Sequence, residues 1–230
     1  MKTIVAITWC AEHFKGGDRI NQLPGPEHAE WLEQAVDYWR EHWFPFGELI
    51  VCATGWRGIT NVRSAPDCHE RDVLWRVLRR VDYFIGVPEN PGHQIGAALC
   101  IRQAIEAAHK WGAERLICTA EDVVPSGVIA GEGRLFGNAA SRILDGLEAM
   151  DYCGERWGIA RTELSAQFFA CRPEALVGPF NPADVTGAGC IEAYLAQLLP
   201  KDRCCFLEGL YRTTHDHSTW TKWAKESTGL

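Results

Sequence analysis

Four short apolar segments alternate with stretches of helical periodicity in the first half of the chain. The apolar segments lie at 4–9, 47–53, 81–86 and 116–118, and the predicted helices between them lie at 26–43, 68–80 and 95–111. Strands joined by helices form parallel sheets with right-handed crossovers, because each helix packs back onto the sheet that it leaves. The alternation therefore predicts an α/β fold with a Rossmann-like, mostly parallel central sheet and helices on both faces.

The second half of the chain predicts shorter and more varied elements. A glycine-rich loop at 126–137 precedes a predicted helix at 138–150, strands at 151–159 and 167–171, a helix at 190–199 and a strand at 203–207. No internal repeat and no low-complexity linker separates the two halves. We therefore expect one domain over residues 1–230.

Composition narrows the class of protein. The 230 residues are 47% hydrophobic and 23% charged, which is typical of a soluble globular protein, and no apolar run approaches the ~20 residues of a membrane helix. The net charge of −7 argues against a broad nucleic-acid surface. None of the ten cysteines forms a Cys-x-x-Cys pair, and Cys52, Cys100, Cys118 and Cys171 lie inside apolar segments. These features predict buried thiols and a reducing, cytoplasmic location.

Two carboxylates stand at the end of the fourth predicted strand. An apolar run from Leu116 to Cys118 is soon followed by Glu121 and Asp122, and a proline ends the segment at Pro125. Open α/β sheets bind ligands at the carboxyl ends of their strands, and carboxylate oxygens suit hard divalent cations and the phosphates that these carry. The pattern indicates a metal and phosphate site. The alternative is a polar strand exit that caps the next element.

The order of four sequence features resembles that of the A-type glycosyltransferases, which are metal-using enzymes with a Rossmann-like sheet, and especially their large inverting family. The features are an Asn90-x-Gly92 element before an alanine-rich helix, the Glu121-Asp122 pair, the segment from Gly187 to Glu192, and His215-Asp-His217. The resemblance extends roughly from residue 3 to 218. It implies a nucleotide-binding half at 1–124, an acceptor half at 125–218 and a tail at 219–230.

The resemblance implies a site for Mn²⁺ or Mg²⁺. Asp122 would hold the ion against the donor diphosphate, helped by Glu121 or its backbone. A histidine near the C-terminus would complete the set of ligands, and His215 is favoured over His217. Neutral imidazole is a good ligand for Mn²⁺ and similar ions. The bound ion would neutralise charge that builds on the leaving nucleotide.

The resemblance also implies contacts to the nucleotide-sugar donor. The candidate donor-binding residues are Thr8, Trp9, Cys10, Asn90, Gly92, Gly96, Glu121 and Arg134. Trp9 could stack on the nucleotide base, and the alternative is that it packs in the sheet. Arg134 could reach the diphosphate, and the alternative is a solvated side chain.

The acidic residue after the glycine-containing segment is the implied catalytic base. Glu192 matches it by position, and a carboxylate there could take the proton from an acceptor hydroxyl. The alternative is a first-turn glutamate that the helix macrodipole favours. The expected reaction is transfer of a sugar from a nucleotide-sugar to a hydroxyl of a glycan, a protein or a modified DNA base, with no membrane and no obligatory protein partner.

Two other functions stay open. A sugar-phosphate nucleotidyltransferase shares this type of sheet and would use a glycine-rich loop with a basic residue after the first strand, where Lys15 precedes two glycines. A non-catalytic relative that binds a nucleotide or a sugar is also compatible with the altered metal motif.

Overall fold

A computed structural model of the chain describes residues 1–10, 32–40, 47–54, 75–87, 91–125, 139–158 and 162–213. Nine strands lie in these ranges: β1 Thr3–Cys10, β2 Gly47–Thr54, β3 Tyr83–Val87, β4 Arg115–Ala120, β5 Val123–Pro125, β6 Tyr152–Trp157, β7 Glu163–Cys171, β8 Cys204–Phe206 and β9 Tyr211–Thr213. Seven of them form one sheet in the order β3-β2-β1-β4-β7-β6-β8, and β5 pairs with β9 in a separate two-stranded sheet.

The sheet is mostly parallel, as the alternation predicts. β1 runs parallel to β2 and β4, β2 runs parallel to β3, and β6 runs parallel to β8. β7 lies antiparallel to both β4 and β6. The α/β, Rossmann-like fold class is therefore confirmed, with one antiparallel strand inserted between the first and second halves of the sheet.

Helices cover both faces of the sheet. Residues 32–40 (α1) and 75–78 (α2) are helical. The remaining helices are α3 His93–Lys110, α4 Ala139–Gly146, α5 Pro173–Leu176, α6 Val185–Ala188 and α7 Ile191–Leu198, with short 3₁₀ turns at Pro182–Asp184 and Lys201–Arg203. Buried residues of α1 and α4 belong to one apolar cluster, and those of α3 and α7 belong to the other.

The alternating side chains of β1 show how the two clusters form. Val5, Ile7 and Trp9 enter the cluster with α1, whereas Ile4 and Ala6 enter the cluster with α3. Successive residues of a strand point to opposite faces, so a continuous apolar run is what a strand buried on both faces requires. The run at 4–9 therefore fixes β1 as a central strand.

The predicted cysteine environment is confirmed at four positions. Cys52, Cys100, Cys118 and Cys171 are buried and carry free thiols. Burial raises the pKa of the Cys52, Cys118 and Cys171 thiols above the ordinary value, because a thiolate would lose its hydration there. These side chains act as small core residues.

The N-cap residue of the long helix α3 is a glycine in a backbone conformation that other residues avoid. Gly92 is the N-cap residue and has φ 127° and ψ 154°, and its carbonyl accepts the Gly96 N–H at 2.5 Å. A positive φ of this size is strained for any residue with a Cβ atom. The Gly92 position thus sets the direction in which the chain enters α3. No helix among the described residues is both long and apolar enough to cross a bilayer.

Candidate functional site

The carboxyl ends of β1 and β4 lie side by side at one edge of the sheet. Thr8 is in register with Ala120, its hydroxyl donates to the Thr119 carbonyl at 3.3 Å, and its carbonyl accepts the Glu121 N–H at 3.3 Å. Glu121 is buried, with 9% of its surface exposed, and Asp122 is half-buried. The chain therefore turns immediately after β4 and holds both carboxylates at the edge where parallel sheets bind ligands.

The two-stranded sheet returns the C-terminal part of the chain to Asp122. β5 begins at Val123, directly after Asp122, and β9 runs antiparallel to it with Val123 opposite Thr213 and Pro125 opposite Tyr211. The Tyr211 ring also contacts the Phe168 ring of β7, with their centroids 6.0 Å apart. Tyr211 consequently lies between the exit of β4 and the central part of β7.

The β7 strand has an irregular β-bulge near this edge of the sheet. Gly154 of β6 pairs with Phe169, but Arg156 pairs with Leu164, so the single residue Glu155 faces the four residues 165–168. Bulges of this kind interrupt the ladder, re-aim side chains and are common beside active sites. Here the bulge takes Ser165 out of the regular pairing with β6.

Side-chain hydroxyls replace the backbone pairing that the bulge removes. The buried Tyr152 hydroxyl donates to the Ser165 carbonyl at 2.7 Å, and the Ser165 Oγ accepts the Gln167 N–H at 3.3 Å. The Ser165 Oγ also lies 2.9 Å from the Tyr211 hydroxyl oxygen. The bulge is thus a fixed structure that connects β6, β7 and β9 through hydroxyl groups.

The Tyr211 phenol is partly buried, and its pKa is raised. Burial raises the pKa of Tyr211 to about 12, and the negative charges of Glu155, Glu192 and Asp122 raise it as well, whereas the hydrogen bond from Ser165 lowers it. Negative charges disfavour the ionised form of a nearby phenol. Asp122 and Glu192, which are far apart in the sequence, therefore both act on the charge of Tyr211.

Glu192 is held in the first turn of α7. Cys190 is the N-cap residue, and its Sγ accepts the Ala193 N–H at 3.4 Å. Burial raises the pKa of Cys190, and the Glu192 and Glu163 carboxylates raise it further against the opposing effect of the Ala193 N–H. Glu192 thus lies in the first turn of a helix that packs on β7.

The described donor-binding candidates other than Glu121 lie at the end of β1 and at the start of α3. Thr8 and Trp9 are buried, with 8% and 1% of their surface exposed, and Trp9 packs in the apolar cluster on the α1 side. This burial matches the core alternative for Trp9 and leaves its ring no open face for a base. Gly92 and Gly96 form the start of α3, and Cys10 ends β1.

Four predicted site residues lie outside the described residues. They are Asn90, Arg134, His215 and His217, and the Lys15 segment of the alternative function lies outside them too. Within the described ranges, no group of three or more His, Cys, Asp or Glu side chains is arranged to hold a metal ion. Among the described residues, the end of β4 therefore offers one or two carboxylates as potential metal ligands.

One or two protein carboxylates fit the way in which Mg²⁺ is bound. This ion keeps several waters and is usually held by one or two carboxylates together with substrate phosphates, in place of a cage made only of protein atoms. Asp122 is half-buried at the correct edge of the sheet, and Glu121 precedes it. The residues present suit a substrate-linked cation better than a structural metal site.

The structure adds two residues that the sequence does not suggest. In the sequence, Tyr211 begins the C-terminal segment after the last predicted strand, and Ser165 precedes the predicted strand at 167–171. Neither a single tyrosine nor a single serine is distinctive in a sequence. Their place in the site depends on the β5–β9 pairing and on the β7 bulge, which arise only in the folded chain.

No protein-family model and no curated protein matches this chain. Among solved structures, it is similar to mannose-1-phosphate geranyltransferase from Thermus thermophilus at 15% identity and a TM-score of 0.46, over 94% of this chain and 77% of that chain. It is similar to A197 from STIV at 12% identity and a TM-score of 0.44, over 94% and 87%. It is similar to the bifunctional IspDF from Campylobacter jejuni at 10% identity and a TM-score of 0.46, over 96% and 54%. None of the three is described as a glycosyltransferase, and at this level of likeness we base no functional conclusion on them.

Proposed function

We propose that this chain is a transferase that acts on a nucleotide-linked substrate with the help of Mg²⁺ or Mn²⁺. The observation that carries the proposal is the position of Glu121 and Asp122 directly after the central parallel strand β4, where the Thr8 carbonyl near the end of β1 accepts the Glu121 N–H. Asp122 follows this strand, and Glu192 lies in the first turn of a helix that packs on the antiparallel strand β7. Two carboxylates with separate supports can take two different roles in one reaction.

Asp122 is the proposed ligand for the cation. It follows β4 at the edge where α/β sheets receive phosphates, and its half-buried carboxylate can reach an ion that a diphosphate also binds. A bound divalent cation supplies positive charge for the leaving diphosphate. His215 or His217 is the proposed further ligand, since both follow β9 within a few residues of Thr213, which pairs beside Asp122.

Glu192 is the proposed general base of sugar transfer. Its carboxylate would accept the proton of an acceptor hydroxyl as that oxygen attacks the anomeric carbon, and a positioned base typically contributes a factor of ~10²–10⁴ to the rate. Asp122, Glu155 and Glu192 also disfavour a second anionic substrate, because like charges repel strongly in a partly buried site. A neutral hydroxyl acceptor suits this environment better than a phosphate nucleophile.

Nucleotidyl transfer to a sugar phosphate is the second candidate. The feature that favours it is the sequence after β1, where Lys15 precedes Gly16 and Gly17 and could contact a triphosphate. This reaction needs no base for its nucleophile, because a phosphate is already anionic. The two candidates therefore differ in whether Glu192 is needed and in which phosphate product is released.

One set of assays separates the candidates. Purified protein is incubated with a panel of nucleotide-sugars, or with nucleoside triphosphates and sugar phosphates, in the presence of Mg²⁺ or Mn²⁺. Release of nucleoside diphosphate supports sugar transfer, and release of pyrophosphate supports nucleotidyl transfer. A protein that gains thermal stability with nucleotide and metal but releases neither product is a binding protein, and a protein that gains none contradicts the proposal.

Substitutions then test the roles of the two carboxylates. Asp122→Asn should abolish the metal-dependent part of nucleotide binding. Glu192→Gln should keep nucleotide binding but lower sugar transfer by ~10²-fold or more. The matched control is Glu174→Gln, because Glu174 is an exposed glutamate in the first turn of α5, which follows the end of β7 that pairs with the start of β4. Full transfer activity in Glu192→Gln would exclude Glu192 as the base.

A further inference from the structure

Two cysteines lie opposite each other on neighbouring strands at one end of the sheet. Cys153 of β6 is in register with Cys205 of β8, and β8 is the last strand in the order of the described sheet. Among the cysteines that the structure describes, these are the two that face each other in a ladder. Both carry free thiols, and Cys153 is buried whereas Cys205 is partly exposed. The pairing therefore places a shielded thiol beside one that solvent reaches.

The two side chains lie on the same face of the sheet. Cys153 belongs to the apolar cluster that contains buried residues of α1 and α4, and Cys205 packs against that cluster. Cys204 belongs to the cluster on the opposite face, as the alternation of side chains along a strand requires. Cys153 and Cys205 therefore share a face that Cys204 does not.

A glycine at the end of α4 leaves room for both sulfur atoms. A Cβ atom added to Gly146 would lie 2.5 Å from the Cys153 Sγ and 2.9 Å from the Cys205 Sγ, which is closer than ordinary packing permits. Because both sulfur atoms approach the same point, they are closer to each other than the sum of these two distances. The absence of a side chain at Gly146 thus lets the two thiols lie together.

The spacing of the backbone suits a disulfide. Neighbouring strands lie about 4.8 Å apart, and the Cα atoms of disulfide-bonded cysteines are usually about 4.4–6.8 Å apart. The strand β8 has three residues and pairs with β6 alone among the described strands, so it can adjust its position. Rotation of the two side chains with a small shift of β8 brings the sulfur atoms within bonding distance.

We propose that Cys153 and Cys205 are a redox-sensitive site that forms a reversible disulfide on reaction with a low-molecular-weight disulfide such as oxidised glutathione. The Cys205 thiolate attacks one sulfur of the oxidant, which breaks the S–S bond of the oxidant and releases one glutathione. Cys153 then attacks the Cys205 sulfur and releases the second glutathione. Two protein thiols are oxidised, one disulfide is reduced to two thiols, and the protons of the protein thiols pass through solvent to the two glutathione thiolates.

The order of the two steps follows from exposure. Cys153 has no exposed surface, and burial raises its pKa, so it stays protonated near neutral pH. Cys205 is partly exposed and therefore meets the oxidant first. Once the mixed disulfide has formed on Cys205, Cys153 lies beside it, and the second step needs no encounter between molecules. This proximity offsets the small thiolate fraction of Cys153.

The disulfide joins β6 covalently to the segment that leads to β9. In this segment the Leu207 N–H donates to the Gly154 carbonyl at 3.0 Å, and the Leu210 N–H donates to the Glu155 carboxylate directly before β9. The bond closes residues 153–205 into one covalent loop, which contains the β7 bulge and α7. Closing a loop of this kind stabilises a folded chain, chiefly because it restricts the unfolded chain.

Oxidation of the purified full chain tests the proposal. The protein is incubated with oxidised glutathione, quenched with acid, alkylated, and digested with trypsin without reduction. Cleavage after arginine gives the peptides 143–156 and 204–212, which contain Cys153 and Cys205. Most of these two peptides should be joined by a disulfide that dithiothreitol breaks, and the Tm of the oxidised protein should be about 4–16 °C higher than that of the reduced protein.

Three variants identify the sulfur atoms that react. Cys205→Ser should form no link, and Cys153→Ser should retain glutathione on Cys205, because the second step is removed. Cys204→Ser is the matched control, since Cys204 is the neighbouring residue of β8 on the opposite face, and it should form the link as the wild type does. This control also leaves Cys205 as the one cysteine of the peptide 204–212.

The outcomes decide the proposal without any assay of transfer. Unlinked peptides in the oxidised wild type overturn it, and this result needs no variant to fold. A link that persists in Cys205→Ser, or that disappears in Cys204→Ser, overturns the assignment of the two sulfur atoms. A link that leaves the Tm unchanged overturns the stabilising role of the bond. Failure of the protein to transfer a sugar or a nucleotide contradicts the proposed function alone.

Discussion

The Tyr152 hydroxyl should stabilise the whole fold, because it satisfies a carbonyl that the β7 bulge leaves without a ladder partner. Tyr152 is buried, and its hydroxyl donates to the Ser165 carbonyl at 2.7 Å. The β6 ladder skips Ser165, and the β4 ladder covers only 168–171 of β7. In Tyr152→Phe, this buried carbonyl would lose the hydrogen bond that the bulge provides for it.

The size of the effect follows from the burial of Ser165, which has no exposed surface. Leaving a buried carbonyl without its partner costs about 1–3 kcal/mol. In a chain of this length each kcal/mol changes the Tm by about 2–4 °C, so the Tm of Tyr152→Phe should fall by roughly 2–12 °C. The effect should be visible in urea unfolding followed by tryptophan fluorescence, since the chain has ten tryptophans. The dependence on urea should keep its slope, because the folded structure is otherwise unchanged.

A double-mutant cycle tests whether the two hydroxyls support the same bulge. Tyr152 and Ser165 are in direct contact, so the losses from Tyr152→Phe and Ser165→Ala should depart from additivity by about 0.5 kcal/mol or more. Tyr83→Phe, at an exposed tyrosine, should change the free energy of unfolding by less than about 0.5 kcal/mol. A loss below that limit in Tyr152→Phe would refute the argument that its hydroxyl satisfies the bulge.

Two other predictions concern stability away from the site. Gly47→Ala should lower the free energy of unfolding by about 1–3 kcal/mol in thermal unfolding, because the added Cβ at the start of β2 would lie 1.9 Å from the Thr3 carbonyl oxygen. The control is Gly178→Ala, which should be nearly neutral because its added Cβ meets nothing within 4 Å. The hydrogen bond from Arg203 holds the pKa of Asp151 below its ordinary value, so Asp151 stabilises the fold above about pH 4 and this contribution is lost as the pH falls through its lowered pKa. Asp151→Asn should therefore be less stable than wild type near neutral pH, and the difference should shrink in acid; a constant difference would contradict the ion pair as its cause.

The long apolar elements could be predicted from the sequence because each is specified locally. The strands predicted at 4–9 and 47–53 are Thr3–Cys10 and Gly47–Thr54 in the structure, and the helix predicted at 95–111 is His93–Lys110. Continuous apolar runs and 3.6-residue periodicity identify such elements without any tertiary information. The order of strand and helix then determines that the first half of the sheet is parallel.

The strands β5 and β9 could not be predicted, because their pairing depends on distant residues. β5 and β9 have three residues each, which is too short for a periodic pattern, and each is a strand only because the other lies beside it. The apolar pattern predicts the start of β7 at 167, whereas the strand begins at Glu163, because the polar residues of the bulge interrupt that pattern. The strand predicted at 151–159 ends earlier, at Trp157.

In the candidate site too, residues that follow a locally specified element could be predicted, and residues placed by distant contacts could not. Glu121 and Asp122 follow a recognisable strand, so their place at the edge of the sheet follows from the sequence alone. Glu192 lies in the first turn of a predicted helix, but only the folded chain packs that helix on β7, which pairs with β4. Nothing in the sequence marks Tyr211, because its hydrogen bond with Ser165 joins two strands, β9 and β7, that meet only in the folded chain.

The two-stranded sheet connects the segment that follows β4 to the last described strand, β9. Asp122 directly precedes β5, and Tyr211 begins β9, so one three-residue ladder fixes the distance between a residue after the central sheet and a residue near the end of the described chain. The Ser165 contact then ties the same tyrosine to the antiparallel insertion, against which α7 and its Glu192 pack. Backbone atoms make the β5–β9 ladder, so Tyr211→Phe should keep this ladder and lose only the contact between the Tyr211 hydroxyl and Ser165.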